Sequence, residues 1–562
     1  MASVHSKLLL SCVTPQKLKQ IMPSDVVLTQ NTPSRSHQFN PSNSTRLQLP
    51  RHRYPTPLLD QFLMAAKETE YKAHIVLVPL MAQGHIIPMI DIARLLAHRP
   101  GVLTTFVTTP LNAARSRPAI STILSSSLPV RFLELPFPCS AAGLPDGCEN
   151  IDLIPFPDTE DIDLLRPAFL LVKNFFFGTA LLRDPLLSLL RQQHPSPTCI
   201  IADVCLPWLS DVAEALRIPR FIFHGQCCFS LACYLSIHLN GLDRTITDET
   251  QRFLVPGLPQ PIHVNKTEAP GFFSMPGWEK LRKDTIDAEL SSDGIVLNTF
   301  NSLEGEYIEY YEKTLGKKAL AIGPASLANR DVSSMAMRGN KTAIDEQQCL
   351  NWLDSKDPRS VIFVSFGSLA LVKPLQLMEI GYGLEASGSP FIWVIKECEK
   401  WPVMEQWVAE LKERTGDRSL IIIGWAPQVV ILSHVAVSGF LTHCGWNSVL
   451  EAVSAGVVMA TWPRNSDQFL NEKLVVEVLR IGVRVGGKPP SYVAMSKWNV
   501  VERDVVEKVV RSLMDKGKEG EERRERAREL GVKARMAMEE GGSSWVDLSR
   551  LVDLASVHVV NK

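Results

Sequence analysis

The sequence has no excess of either charge and no paired metal-ligand motif. Lys and Arg number 59 against 60 Asp and Glu, a formal net charge of -1. No overall field therefore concentrates nucleic acid or an anionic membrane surface around the chain. The 11 cysteines are dispersed without C-x-x-C spacing, which argues against a zinc site and favours reduced, buried thiols in a cytoplasmic protein.

Long hydrophobic runs and several common catalytic motifs are also missing. The most apolar stretch, 168–182, is interrupted by Lys173 and falls short of the ~20 residues of a membrane-spanning helix, so the sequence predicts no membrane span. No G-x-G-x-x-G, H-E-x-x-H or G-x-S-x-G motif occurs, which argues against nicotinamide or flavin enzymes, zinc proteases and α/β-hydrolases. A hydrophobic content of 45% over 562 residues still indicates a folded chain of more than one domain.

The first 63 residues differ in composition from the rest of the chain. They are basic, rich in serine and poor in acidic residues, with no sustained hydrophobic period, which predicts a disordered extension over 1–63. The same bias is typical of an organellar transit peptide. Alternatively, Met64 is the physiological start and the upstream residues are an artefact of the gene model.

From residue 73 onward, apolar runs of strand length alternate with segments of helical period. This alternation predicts an α/β fold with parallel sheets in two similar halves. The predicted strands are 74–80, 103–108, 130–135, 198–202 and 220–223, then 361–366, 391–395, 420–424, 439–442 and 457–460. The predicted helices include 86–98, 209–216, 375–385 and 448–455. Two such halves usually bind a ligand in the cleft outside the carboxyl ends of their strands.

One segment, 425–468, concentrates polar and aromatic residues at predicted strand ends. Trp425, His443 and Asp467 follow three strands that we expect to be adjacent in one sheet. A helix beginning near Asn447 offers free N–H groups and the positive end of its dipole to a diphosphate, and His443 adds a donor without a metal. Trp425 offers a flat face to a base. The side chains suited to ribose and sugar hydroxyls are Gln428, Glu451, Asp467 and Gln468.

The same segment resembles the signature box of plant family 1 UDP-sugar-dependent glycosyltransferases. It matches W-A-P-Q, I-L-x-H, H-C-G-W-N-S, E, W-P and D-Q in order and spacing. The resemblance extends to Gln83-Gly84-His85, to Asp203 at a strand end and to Ser365-Phe-Gly-Ser368, and so covers the chain from Lys72. It implies the GT-B fold: two facing Rossmann-like domains, with a C-terminal helix that returns to the first. Residues 321–348 lose the hydrophobic period and are rich in Ser, Asn, Gly and charged residues, which predicts a linker between domains. With the resemblance, the expected divisions are an acceptor-binding domain over 64–320, this linker, a UDP-sugar-binding domain over 349–535, and a C-terminal helix and tail over 536–562.

The resemblance also implies a role for each residue of the donor site. The implied UDP contacts are Trp425 and Ala426 for uracil, Gln428 and Glu451 for the ribose, and Ser368, His443, Asn447 and Ser448 for the diphosphate. Trp446, Asp467 and Gln468 are expected around the sugar. In this family a Gln at the end of the box usually accompanies glucose, so Gln468 favours UDP-glucose. No metal and no cofactor beyond this co-substrate is expected, and the expected partners are a UDP-sugar and a small-molecule acceptor, with no obligate protein partner.

Sugar transfer needs a base that removes the proton of the acceptor hydroxyl. By the resemblance and by its titration near neutral pH, His85, expected on the loop after the first strand, is the predicted base, and Asp203 is predicted to orient its ring. The expected reaction is inverting transfer of glucose that gives a β-glucoside. Segments rich in Phe, Leu and Cys, such as 137–157 and 224–234, are expected to hold an apolar plant acceptor of flavonoid, hormone or terpenoid type.

Several of these residues have alternative interpretations. His85 is also suited to cap the following helix, and Ser448-x-x-Glu451 fits a capping box. Trp462 is predicted to be a core aromatic. Arg464 stands where the family has a more apolar segment, and it is either a solvated surface arginine or a partner for a carboxylate donor such as UDP-glucuronic acid. A UDP-sugar-binding protein without catalysis is the alternative function, and it is expected to lack His85 or Asp203.

Overall fold

The computed structural model describes residues 71–157, 162–269, 277–368, 372–396, 401–486 and 500–556. The predicted extension over 1–63 and the alternative start at Met64 lie outside these residues. Glu68–Lys562 form one compact unit.

The first half is built on a seven-stranded parallel sheet. Its strands run in the order β3-β2-β1-β4-β5-β8-β9, and a separate antiparallel pair is formed by β6 and β7. The strands are β1 (Ala73–Val78), β2 (Val102–Thr108), β3 (Val130–Glu134), β4 (Cys199–Asp203), β5 (Arg220–His224), β6 (Phe253–Leu254), β7 (His263–Val264), β8 (Gly294–Leu297) and β9 (Ala319–Ala321). Every residue of β1, β2, β4 and β5 is buried, as in a parallel sheet covered on both faces by helices.

Helices follow most of these strands. They are α1 (Gln83–Ala97), α2 (Pro110–Arg115), α3 (Arg117–Ser125), α4 (Ile162–Ala180), α5 (Arg183–Leu190), α6 (Leu209–Leu216), α7 (Cys228–Leu239), α8 (Leu242–Thr245), α9 (Glu279–Leu290) and α10 (Asn301–Leu315). Helix α1 begins three residues earlier than predicted, because its N-cap is Ala82. His85 therefore lies in the first turn of α1, and the prediction that it sits on a loop is wrong.

The second half is built on a six-stranded parallel sheet in the order β12-β11-β10-β13-β14-β15. The elements that join the halves are α11 (Val332–Ala336) and α12 (Glu346–Asp354), and the alternating elements that follow are β10 (Val361–Ser365), α13 (Pro374–Ser387), β11 (Phe391–Ile395), α14 (Pro402–Thr415), β12 (Ser419–Ile423), α15 (Gln428–Ser433), β13 (Val437–Thr442), α16 (Trp446–Ala455), β14 (Val458–Thr461), α17 (Gln468–Lys473) and β15 (Gly482–Arg484). Three helices complete the chain: α18 (Arg503–Leu513), α19 (Lys518–Met538) and α20 (Ser543–Ser556).

The last helix, α20, packs on the first sheet. Its apolar residues Leu548, Leu551 and Val552 belong to the same buried cluster as β1, and its Asp547 accepts a hydrogen bond from the Ala321 amide at 3.1 Å. Two Rossmann-like sheets and a helix that returns to the first confirm the GT-B fold that the resemblance implies.

Each sheet reverses its strand order at one point, and these points position the cleft. In the first sheet β1 lies beside β4, and in the second β10 lies beside β13. Ligands of parallel α/β sheets bind outside the carboxyl ends of the strands at such a reversal. The expectation that Trp425, His443 and Asp467 follow three adjacent strands is wrong, because the reversal puts β11 and β10 between β12 and β13.

One apolar stretch in the first half has the length of a membrane-crossing helix. Leu164–Leu190 has a mean hydropathy of 1.3. By length and composition it could therefore cross a membrane in spite of the charge of Lys173, contrary to the prediction. The structure divides it between α4 and α5, and 28% of its apolar window is buried. Core helices of soluble proteins meet the same criteria, so one such stretch is weak evidence for a membrane span.

Candidate active site

The side chains of His85 and Asp203 meet at the strand reversal of the first sheet. His85 is in the first turn of α1, Asp203 is the last residue of β4, and His85 Nδ1 lies 2.7 Å from Asp203 Oδ2. The other carboxylate oxygen of Asp203 accepts the Cys205 amide at 3.0 Å. An Nδ1–H donated to the carboxylate leaves Nε2 unprotonated, which is the state that a base needs. The alternative of His85 as a helix cap is wrong, because the N-cap is Ala82.

The charges around His85 favour its protonated form. Burial opposes protonation most strongly, but the charge and hydrogen bond of Asp203 together with the charge of Asp467 outweigh it and raise the pKa of His85 above its usual 6.5. Burial alone raises the pKa of Asp203, yet His85 and the backbone amides lower it below 3.8. Asp203 is therefore ionised at neutral pH and holds a ring that can accept a proton.

His85, Asp203 and Cys205 also place three potential metal-ligating atoms within 4.8 Å of one another. Burial and the nearby Asp203 raise the pKa of the Cys205 thiol well above 9.0. A thiol binds metal as the thiolate, so a protonated Cys205 is a poor ligand. The arrangement is better suited to proton transfer between His85 and a bound molecule.

A cavity of about 590 Å³ lies between the two halves, within the range of about 300–1,000 Å³ that is usual for small-molecule sites. Twelve of the thirteen predicted site residues line it: His85, Ser368, Trp425, Ala426, Gln428, His443, Trp446, Asn447, Ser448, Glu451, Asp467 and Gln468. The thirteenth, Asp203, is fully buried and reaches the cavity through His85.

The amino-terminal end of α16 faces this cavity. Its N-cap is Gly445, and Ser448 is the third residue of the helix, so the capping-box alternative for Ser448 and Glu451 is wrong. Asn447 donates from Nδ2 to the Gly84 carbonyl in α1 at 2.7 Å. The free amides and the positive end of the dipole of this ten-residue helix suit a diphosphate.

His443 lies between two glycines at the start of this helix. A Cβ on Gly367 or on Gly445 would lie 2.5 Å from the His443 ring. Burial, helped by the positive charge of Arg464, lowers the pKa of His443 to about 4, so the ring is neutral at physiological pH. Among the residues that the structure describes, the buried Nδ1 of His443 has no hydrogen-bond partner. A neutral imidazole still donates one N–H, which fits a phosphate oxygen.

The predicted ribose residues form one hydrogen-bonded group. Gln428, the first residue of α15, donates from Nε2 to Glu451 Oε2 at 2.7 Å and to the Ser448 hydroxyl at 3.0 Å. Trp425 is half-buried beside them, and its carbonyl accepts the Ala343 amide at 2.8 Å. Trp425 therefore reaches the site from the edge strand β12 through the turn that begins α15.

The predicted sugar residues are engaged in contacts of their own. Trp446 is 3% exposed and donates its indole N–H to the Asn298 carbonyl of the first half at 2.8 Å. Asp467 accepts from Asn471 at 2.8 Å, and burial raises its pKa above 3.8. The side-chain oxygen of Gln468 accepts the Arg464 and Asn465 amides at 2.8 and 3.1 Å. Gln468 thus shapes its own loop, and one of its amide hydrogens also bonds within that loop.

The structure decides the interpretations of Trp462 and Arg464. Trp462 is 1% exposed and packs edge-on against Phe366 at 5.6 Å, which confirms the prediction of a core aromatic. Arg464 is 8% exposed, and burial lowers its pKa to about 10. The interpretation of Arg464 as a solvated surface arginine is therefore wrong.

Sequence reasoning missed several charged and polar residues that line the cavity. Lys396 follows β11 and donates from Nζ to the Ser368 carbonyl, which brings a positive charge beside a predicted diphosphate residue. Arg338 and Asn340 come from the segment predicted to be a linker. That segment lacks hydrophobic periodicity, and the sequence offered no other signal for a site there.

Comparisons with known proteins agree with this geometry. Residues 72–326 match the family model described as "Glycosyltransferase, N-terminal domain", and residues 336–486 match "UDP-glucoronosyl and UDP-glucosyl transferase". UDP-glycosyltransferase 73C6 of Arabidopsis thaliana is 42% identical over 494 residues, which cover 86% of this chain and 96% of that protein.

Two solved structures extend the comparison. UGT73P12 of Glycyrrhiza uralensis, complexed with glycyrrhetinic acid 3-O-monoglucuronide, has a TM-score of 0.76 and 35% identity, covering 87% of this chain and 97% of that one. UGT2 of Phytolacca americana, complexed with UDP-2fluoro-glucose and pterostilbene, has a TM-score of 0.65 and 27% identity, covering 86% of this chain and 100% of that one.

Proposed function

Because the chain belongs to the plant family 1 UDP-glycosyltransferases, and is thus an enzyme that transfers sugar from a UDP-sugar to a small molecule, we propose that it makes a β-glucoside from UDP-glucose. The proposed acceptor is an apolar molecule of flavonoid, hormone or terpenoid type that bears a hydroxyl. The His85–Asp203 pair, 2.7 Å apart at the wall of the cavity that holds the donor-site residues, carries this proposal.

In the proposed reaction His85 Nε2 takes the proton of the acceptor hydroxyl. The acceptor oxygen attacks the anomeric carbon of glucose from the face opposite UDP, and the bond from that carbon to the diphosphate oxygen breaks. A single displacement inverts the configuration at the anomeric carbon, so an α-linked donor gives a β-glucoside. Asp203 stabilises the imidazolium as the proton arrives, as an aspartate does in hydrolase triads.

The diphosphate carries away the electrons of the broken bond. The amino-terminal end of α16, the His443 ring and the Lys396 ammonium are the groups proposed to stabilise its charge. All three belong to the cavity wall. We propose that these groups act without a metal or a further cofactor.

The donor assignment rests on two observations. The Gln468 oxygen shapes the loop over 464–468, beside Asp467 in the cavity wall, and a relative of known structure was complexed with UDP-2fluoro-glucose. Arg464 is buried next to that loop, which makes UDP-glucuronic acid the second candidate donor. The acceptor assignment rests on Ile151 and Gly225, which line the cavity and come from the two predicted acceptor segments.

We also propose that the enzyme works in the cytoplasm. The nine cysteines that the structure describes are free and buried, as expected where thiols stay reduced.

The proposal is tested by UDP release from the full chain with UDP-glucose, UDP-galactose or UDP-glucuronic acid and a panel of flavonols, cytokinins and triterpenoids. We expect acceptor-dependent turnover with UDP-glucose and a product whose anomeric proton shows the β configuration by NMR. His85→Ala should lower kcat by about 10²–10⁴, the usual contribution of a general base, while the Kd of UDP changes by less than about twofold.

The matched control is His98→Ala. His98 lies just beyond the other end of α1 and is exposed, and among the described residues its ring bonds only the Arg94 carbonyl, so kcat should stay at the wild-type value. Turnover that survives His85→Ala would refute the base, and turnover only with UDP-glucuronic acid would refute the donor assignment.

A further inference from the structure

Arg338, in the segment predicted to be a linker, joins the helix that carries the base to the helix that carries the ribose residue. Its Nε lies 2.6 Å from Asp91 Oδ2 in α1, and its Nη1 is hydrogen-bonded to Glu451 Oε1 in α16. The three side chains are 9%, 3% and 4% exposed. The guanidinium is planar and presents several N–H donors in a fixed geometry, so it holds two carboxylates at once.

Both carboxylates have a second partner that fixes their orientation. Asp91 accepts from Asn329 at 2.8 Å, and Glu451 accepts from Gln428 at 2.7 Å. Burial outweighs the attraction of Arg338 and raises the pKa of Asp91 above 3.8. Removing the cation would take one of its hydrogen-bond partners from each of these two buried carboxyl groups, which is unfavourable.

The residues that follow Arg338 also contact the donor site. Gly339 has a φ of +90°, and a Cβ there would overlap the Trp425 ring. The side-chain amides of Asn340 and Gln83 meet at 2.6 Å, and the Ala343 amide bonds the Trp425 carbonyl. The segment 338–343 therefore packs on the predicted uracil and ribose residues and on the start of α1.

We propose that Arg338 is a positioning residue for the donor: it orients the Glu451 carboxylate toward the ribose hydroxyls and fixes it relative to α1. A carboxylate has about four acceptor positions, so Glu451 can accept from Arg338, Gln428 and a ribose hydroxyl together. The inference rests on the proposed role of Glu451 as the ribose ligand. It gives the segment 338–343 a part in donor recognition beyond that of a connection between domains.

The test compares the affinity of UDP with that of its 2′-deoxy analogue, dUDP, by calorimetry. A hydrogen bond to an ionised carboxylate changes affinity by roughly tenfold or more, so we expect the wild-type enzyme to prefer UDP by about tenfold. Arg338→Met should reduce this preference to about twofold, because Glu451 is no longer held toward the ribose. Arg338→Lys keeps the positive charge but loses the planar guanidinium that bonds both carboxylates, and it should give an intermediate preference.

Two further variants make the outcome specific. Arg523→Met removes an equally buried arginine, 7% exposed, whose bonds go to Ser512 and Glu519, and it should keep the wild-type preference. Glu451→Ala should abolish the preference. If Glu451→Ala abolishes it but both Arg338 variants retain it while binding the two nucleotides equally more weakly, Arg338 serves stability alone and the inference is wrong. If Glu451→Ala retains it, the ribose assignment fails, and the inference with it.

Discussion

The carboxylates of Asp203 and Asp467 both act on the charge of His85, but their own pKa values move in opposite directions. Burial raises the pKa of each, yet only Asp203 has enough compensation, from His85 and the backbone amides, to bring its pKa below 3.8. Pairs of carboxyl groups whose environments separate their pKa values usually have different roles. Asp203 therefore keeps its negative charge to a lower pH than Asp467, which our proposal places at the sugar.

The raised pKa of His85 predicts the acid side of the pH profile. A base works only when it is neutral, so kcat/KM should fall as pH drops through a pKa above 6.5. Asp203→Asn removes the charge that favours the imidazolium and leaves the burial that opposes it. The pKa of His85 should then fall below its wild-type value, and the acid-side decline of kcat/KM should move to lower pH. The lost orientation of the ring should lower the plateau of kcat/KM by about 10²-fold or more.

The measurement is kcat/KM from pH 5 to pH 9 with UDP-glucose and one accepted acceptor. Asp211→Asn, which changes a 61% exposed aspartate in α6, should leave both the plateau and the acid-side decline unchanged. An acid-side decline that stays in place in Asp203→Asn would assign the titration to another group.

The segment that follows β10 brings Gly367 against His443, and this contact predicts how substitutions in that segment affect UDP-glucose binding. Gly367 and Gly388 both have a φ of +74°, but a Cβ at Gly388 meets nothing within 4 Å. Alanine at either position should cost roughly 1–2 kcal/mol in the free energy of unfolding because of the left-handed backbone. Only Gly367→Ala should also displace the His443 ring and weaken UDP-glucose binding, by about tenfold or more.

Urea denaturation and calorimetric titration with UDP-glucose separate these two effects. Equal losses of affinity in Gly367→Ala and Gly388→Ala would mean that the affinity follows overall stability and that the close packing around His443 has no part in it.

The regular elements were largely predictable from the sequence, because buried parallel strands are continuous runs of Val, Ile, Leu and Phe. Each strand predicted in the two sheets was found within two residues at both ends, and β11 and α6 were predicted with their observed bounds. The described strands that were not predicted are β6, β7, β8, β9 and β15, and each has only two to four residues. A run of that length carries no period of its own, and its pairing comes from the neighbouring strand.

The site was predictable where its residues follow a strand in a fixed order, and not where they depend on packing between distant segments. His85 and Asp203 were found together because β1 and β4 are neighbours at the reversal of the sheet. The contact of Arg338 with Glu451 joins residues 113 apart in the chain and has no local pattern. The prediction that β12 lies next to β13 was wrong for the same reason, because strand order depends on the whole sheet.

At the scale of the whole molecule, the proposed donor and base sites are joined by hydrogen bonds between the two halves. Asn447 bonds the Gly84 carbonyl beside the base, and Trp446 bonds the Asn298 carbonyl. Asn471, fully buried, donates to Asp467 and accepts from Ser230 in α7 at 3.2 Å. The helix end that suits a diphosphate is thus attached directly to the turn that carries His85, which fixes the distance between the proposed base and the proposed diphosphate site.

Helix α20 ties the end of the chain to the first sheet, and its two faces provide a matched test. Leu551 is fully buried against the cluster that contains β1, whereas Leu554, one turn away, is 44% exposed. Leu551→Ala should lower the free energy of unfolding by about 2–5 kcal/mol through lost burial and the cavity left behind, and Leu554→Ala should change it by about 0.5 kcal/mol or less. Because α20 contributes no residue to the lining of the cavity among the residues described, both folded variants should bind UDP with the wild-type Kd. Urea denaturation followed by UDP titration of the folded proteins checks both expectations, and equal stability losses would show that α20 is not packed on the first sheet in solution.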